Sequence, residues 1–225
     1  MFQESEPKMT GTVRNAVAEA LATLLFVFAI VGAINNAGDF TPLVIGFTLM
    51  VLVYATGHLS GAHLNPAVSL GALIRGALSL GDFIAYVVAQ LVGGAIGALL
   101  ATALWPRATE TVAIEVGPAF IGELVVTFVL VYVVLNVATS KDSADNSFYG
   151  LAIGTTVFIG AATVGPVSGG GFNPAVAFGL AVHGDFAWSN LWLYVLAPLV
   201  GGALAALAFL ALNTHDRLRV GSAAS

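Results

Sequence analysis

The chain has 225 residues, of which 58% are hydrophobic and 8% charged, with a mean hydropathy of +0.95. An ordinary soluble domain carries about 25% charged residues, so a water-soluble fold is excluded and the 225 residues read as one membrane domain. The formal net charge of −5 comes from scattered acids with no basic stretch, and there are no cysteines; nucleic-acid binding, disulfides and thiolate metal sites are set aside.

In chain order, Met1 to Thr10 are polar and lack the basic start, apolar core and cleavage site of a secretory signal, so the first apolar segment is expected to be retained. Apolar stretches long enough to cross about 30 Å of hydrocarbon as helices lie near 13–34, 42–58, 83–105, 118–139, 148–166 and 188–212. Two shorter apolar pieces, near 66–76 and 174–183, follow glycine-bearing turns and read as re-entrant segments. Long apolar runs without strict alternation favour helices over a barrel. The predicted fold is an all-α membrane protein with six transmembrane helices and two re-entrant half-helices. Six spans put both termini on one side. Lys8, Arg14, Arg75, Lys141, Arg217 and Arg219 then share that face and Arg107 stands alone on the other. The bias of Lys and Arg toward the inside makes the shared face, and both termini, cytoplasmic.

The halves, approximately 10–106 and 117–213, match at an offset of 108 residues. Ser60 to Val68 pairs with Ser168 to Val176, Leu43, Ile45 and Gly46 with Leu151, Ile153 and Gly154, and Tyr86 to Ala95 with Tyr194 to Ala203. Three spans per half invert the second repeat relative to the first, an arrangement that places a site near the bilayer midplane. At its centre stand Asn65-Pro66-Ala67 and Asn173-Pro174-Ala175. Proline suits the first helical position and asparagine caps the helix before it. Each asparagine oxygen is expected to accept from the first turn, leaving its NH2 free to face the axis. The two helix dipoles repel cations and protons there. Small residues four apart, Gly93 with Gly97 and Gly201 with Ala205, are expected to let helices pack closely in lipid.

These motifs, together with the acids Glu19 and Glu123 early in the first and fourth spans, resemble the aquaporin and aquaglyceroporin superfamily over nearly the whole chain. The resemblance implies a passive pore in each protomer, usually of a homotetramer in the lipid bilayer, passing small neutral solutes with no cofactor. It also implies that Glu19 and Glu123 brace the re-entrant loops; an acid within a span needs such a partner. By the same resemblance the selectivity filter falls on Ile45, Ala161, Gly170 and Val176. Val176 stands where the family normally has Arg, and Ala177 where glycerol channels commonly have Asp. That quartet is wide, apolar and poor in donors. Val176 in the Arg position is similar to bacterial arsenic-resistance channels, which implies arsenous acid and methylated arsenicals as solutes, with glycerol and water, and a bacterial inner (plasma) membrane. The alternatives are a plain water or glycerol channel and, in a different class, a secondary transporter built on inverted repeats.

His58 is a candidate gate on the cytoplasmic side, since imidazole titrates near neutrality. His58 and His63 lack further ligands for a metal site. His183 and His215 are expected to be solvated. Ser60, His63 and Asp82 suggest a triad only by residue type, with nothing placing them together, so an enzyme is not expected. Gly169-Gly170-Gly171 lacks the Lys of a phosphate loop and is read as pore lining.

Overall fold

A computed structural model describes residues 11–216. Eight α-helices carry the fold: α1 (Gly11–Asn36), α2 (Thr41–Ser60), α3 (Pro66–Arg75), α4 (Leu80–Ala101), α5 (Val116–Thr139), α6 (Tyr149–Ser168), α7 (Pro174–His183) and α8 (Leu191–Leu212). Six of them are long and apolar enough to span a bilayer, and α3 and α7 have 10 residues each. The described chain is all-helical and has the expected six-plus-two composition.

Local chemistry sets the ends. α2 and α6 both stop at a glycine in the left-handed region, Gly61 at φ 88° and Gly169 at φ 83°. The left-handed turn reverses the chain at no Cβ cost. α4 starts three residues before the apolar stretch does, because the Ser79 hydroxyl accepts from Asp82 N–H at 3.1 Å and donates to the Asp82 carboxylate at 2.7 Å. It ends at Ala101, short of the expected 105, as the chain tightens into turns before Trp105 and Pro106. α6 continues through Pro166 to Ser168; so near the end, the missing N–H costs one hydrogen bond and leaves the rest of the helix intact.

Glycines decide which helices touch. α1 packs against α4, α5 against α8, and α2 against α6. Gly93 and Gly97 lie against the Ala20 and Leu24 carbonyls of α1, and Gly201 against Leu124 of α5, at separations that leave no room for a Cβ. Ala205, the expected partner of Gly201, is itself fully buried. Gly46 and Gly154, at equivalent repeat positions, face each other where α2 crosses α6; a Cβ on Gly46 would stand 2.6 Å from the Gly154 carbonyl oxygen. Gly94 and Gly202 do the same for the half-helices. A Cβ on Gly94 would meet the Ala175 carbonyl at 2.7 Å, and one on Gly202 the Ala67 carbonyl at 2.7 Å. Thus α4 of the first half grips α7 of the second, and α8 grips α3.

One face of the molecule carries both ends of the described chain, with Arg14, Arg75 and Lys141. Arg107 lies in the segment 102–115 on the opposite face. Lys8, Arg217 and Arg219 lie outside the described residues. Arg75, at the C-terminus of α3, donates to the Thr139 hydroxyl and carbonyl, each at 2.9 Å, and pairs with Asp216 at 3.5 Å. This places a cation at the negative end of the half-helix. Asp216 in turn accepts from the Ser140 hydroxyl at 2.7 Å and the Lys141 N–H at 3.2 Å.

Candidate functional site

The N-termini of α3 and α7 meet in the middle of the protein. Asn65 and Asn173 are extended residues that cap their helices: Asn65 Oδ1 accepts from Ala67 N–H at 2.8 Å, and Asn173 Oδ1 from Ala175 N–H at 2.9 Å and Val176 N–H at 3.4 Å. Their amide groups cross over. Asn65 Nδ2 donates to the Phe172 carbonyl at 2.9 Å and Asn173 Nδ2 to the Leu64 carbonyl at 2.7 Å. This corrects the expectation of two free NH2 groups. One hydrogen of each is spent on the residue preceding the other asparagine, so the two motifs clasp each other and a single N–H per asparagine remains for a solute.

Behind the clasp the loops hang on carboxylates. Glu19 Oε1 accepts from the Ser60 hydroxyl (2.6 Å) and His63 N–H (2.9 Å), and its Oε2 from Leu64 N–H (2.7 Å) and Gln90 Nε2 (2.8 Å). Glu123 repeats the pattern with the Ser168 hydroxyl (2.7 Å), Gly171 N–H (2.8 Å) and Phe172 N–H. Both acids are fully buried; buried polar groups of this kind need such convergent donors in place of water. Leu64 and Phe172 are held at φ 51° and 47°, a conformation costly for residues with a Cβ. The carboxylates accept from these two N–H groups. Tyr86 and Tyr194 complete the brace by donating to the Ser60 carbonyl at 2.7 Å and the Ser168 carbonyl at 2.5 Å. No role is assigned to the tyrosines or Gln90 from the sequence. The tyrosines carried a signal, as polar tips at matching positions of two apolar helices.

A cavity of about 270 Å³ runs past the clasp. Its wall includes Asn65, Asn173, Ile45, Ala161, Gly170 and Val176, brought together from α2, α6, α7 and the loops before α3 and α7, and none of its described lining residues is Lys, Arg, Asp or Glu. Pro66, Ala67, Pro174 and Ala175 are buried behind it in the first turns of α3 and α7. Gly169, Gly170 and Gly171 all line it. Toward the chain-end face it adjoins a recess of about 790 Å³, the two sharing His63, Val134 and Ile153; His58 is exposed in that recess. Toward the opposite face it adjoins one of about 510 Å³, sharing Ile34, Gly165, Pro166 and Gly169. The three cavities thus share wall residues in series from one face to the other, with the paired asparagines in the middle one.

His183 departs from expectation. It is buried at 1% exposure, with Nδ1 2.8 Å from Asp185 Oδ2; His215 is exposed, as expected. Ser60, His63 and Asp82 engage Glu19, Ser69 and Ser79 respectively and form no triad.

Comparison with known proteins agrees with this architecture. Residues 6–209 match the profile of the family described as Major intrinsic protein. The chain is 37% identical to Aquaporin TIP1-2 of Musa acuminata, covering 95% of the chain and 93% of that protein. It is 36% identical to Glycerol uptake facilitator protein-like 6 of Lactiplantibacillus plantarum, covering 91% and 100%. Its fold is similar to the X-ray structure of the aquaglyceroporin from Plasmodium falciparum, with a TM-score of 0.78, 25% identity and coverage of 88% and 95%.

Proposed function

The chain belongs to the Major intrinsic protein family, whose members are channels rather than enzymes, and from that premise we propose that it conducts small uncharged solutes bulkier than water: arsenous acid and methylated arsenicals, with glycerol and water. The observation that carries this reading is the composition of the central cavity. Ile45, Ala161, Gly170 and Val176 share it with the two asparagines, and no described Lys, Arg, Asp or Glu lines it. An ion entering such a wall loses hydration that nothing replaces. A neutral hydroxyl-bearing molecule offers its oxygen to the remaining N–H of Asn65 or Asn173. Val176 is aliphatic and 2% exposed; it neither narrows the passage with a long side chain nor contributes a cation.

The same reading assigns Glu19 and Glu123 the bracing of the loops, with all four carboxylate oxygens taken up by loop and helix donors. Neither acid lines the cavity, which argues against a transporter that binds its coupling ion there. His58 is the candidate gate of the larger recess. The face bearing Arg14, Arg75 and Lys141 is assigned to the cytoplasm by the positive-inside bias, in a bacterial inner membrane, with the homotetramer as the assembly.

Stopped-flow light scattering on proteoliposomes, comparing water, glycerol and arsenous acid for the wild type and Val176→Arg, tests the solute class. The wild type is expected to pass all three. The arginine is expected to cut glycerol and arsenous acid flux about tenfold, an added barrier of about 1.4 kcal/mol, with a smaller effect on water. Arsenous acid flux at the level of empty liposomes overturns the metalloid reading and leaves a plain water or glycerol channel.

A further inference from the structure

The two half-helices end on basic residues at equivalent repeat positions, Arg75 in α3 and His183 in α7. Arg75 donates to a backbone carbonyl, that of Thr139, and faces the carboxylate of Asp216. His183 has the same kinds of partner, a carboxylate and a backbone carbonyl: Nδ1 lies 2.8 Å from Asp185 Oδ2, and Nε2 lies 3.4 Å from the Trp105 carbonyl oxygen. A neutral imidazole carries one N–H and serves one of these acceptors. With Nδ1–H given to Asp185, the Nε2 lone pair would face the lone pairs of the Trp105 oxygen. An imidazolium donates to both and sets a cation against the carbonyl end of α7, as Arg75 does for α3.

We propose that His183 is a positioning residue that ties the end of α7 to the segment 102–115 through both ring nitrogens, and that breaking this tie lowers solute flux. The segment is fastened to the same corner a second time, by Val112 N–H to the Asp185 carbonyl at 2.9 Å. Val112 also packs beside Gly169, where a Cβ would lie 3.3 Å from its Cγ1. Gly169 lines the central cavity, and α7 carries Asn173 and Val176 into it. Movement of the segment therefore reaches the pore wall. The titratable groups lining the recess with His183 are Asp185 and Glu110; Arg107 lines the adjacent recess with Gly184.

Two readouts test the proposal on the full-length protein in lipid. In ¹⁵N-histidine solid-state NMR, the His183 signals, assigned by their loss in His183→Gln, are expected to show both ring nitrogens carrying a proton, one toward Asp185 and one toward Trp105. Glycerol flux is expected to fall about twofold or more in His183→Gln relative to the wild type. It should be retained in His183→Arg, whose guanidinium still donates to both acceptors. A singly protonated His183, or a His183→Gln flux equal to that of the wild type, overturns it. The flux readout rests on the channel reading and the NMR readout does not, so failure of one is distinguishable from failure of the other.

Discussion

Asp216 shows how one carboxylate on the rim of a membrane protein links three segments, and its chemistry has a measurable pH consequence. The Ser140 hydroxyl hydrogen bond, then the Lys141 N–H and the charges of Arg75 and Lys141, hold its pKa below the ordinary aspartate value, against the opposing effect of burial. The native state thus binds its proton less readily than the unfolded chain. The stabilisation is complete above the ordinary carboxylate range and is lost as pH falls through the lowered native value. Thermal unfolding in detergent is expected to show the wild type losing its advantage over Asp216→Asn as pH is taken from about 7 to about 3; a constant gap contradicts the assignment. The sequence gives no hint of this contact, because Arg75 and Asp216 are 141 positions apart and their pairing depends on where α8 ends. The asparagines and their prolines were legible because capping is local chemistry. Their cross-donation was not, since it depends on two loops meeting.

Among the elements, hydropathy located all six spans and both half-helices. Their ends differ from the apolar stretches by a few residues. The Ser79 cap extends the start of α4, and at the start of α6 the Tyr54 hydroxyl of α2 accepts from Leu151 N–H at 3.2 Å and donates to the Ser147 carbonyl at 3.0 Å. The glycine pairs were legible as packing signals, but only half of their work was. Gly93 and Gly201 admit neighbouring spans, whereas Gly94 and Gly202 admit the half-helix backbones. Gly94→Ala is accordingly expected to destabilise the protein by about 1–3 kcal/mol, the usual cost of overpacking, and to lower its apparent Tm in detergent by several degrees. Gly117→Ala, with nothing within 4 Å of the added methyl, is expected to stay within about 0.5 kcal/mol of wild type. Equal tolerance of both substitutions would remove the argument that α4 grips the Asn-Pro-Ala turn.

For the whole molecule, the 108-residue offset read from the sequence recurs in three dimensions. α2 and α6 share it at both ends, as do α3 and α7, and so do the braced residues Leu64 and Phe172, the two tyrosines and the packing glycines, whereas Glu19 and Glu123 stand 104 apart. A repeat that inverts on itself brings its two short helices tip to tip, and the space along their tips becomes a passage. His183 was misread as solvated because the segment 102–115, which covers it, carries no periodicity to place it. The most direct test of the account is whether solute passes through this cavity. Stopped-flow measurement on proteoliposomes containing wild type or Ala161→Trp, whose indole would fill the lumen beside Ile45 and Val176, decides it. The account predicts water and glycerol flux well above empty liposomes for the wild type, and background flux for a Trp variant that elutes and melts like the parent. Wild-type flux at background, or an unblocked Ala161→Trp, would contradict it.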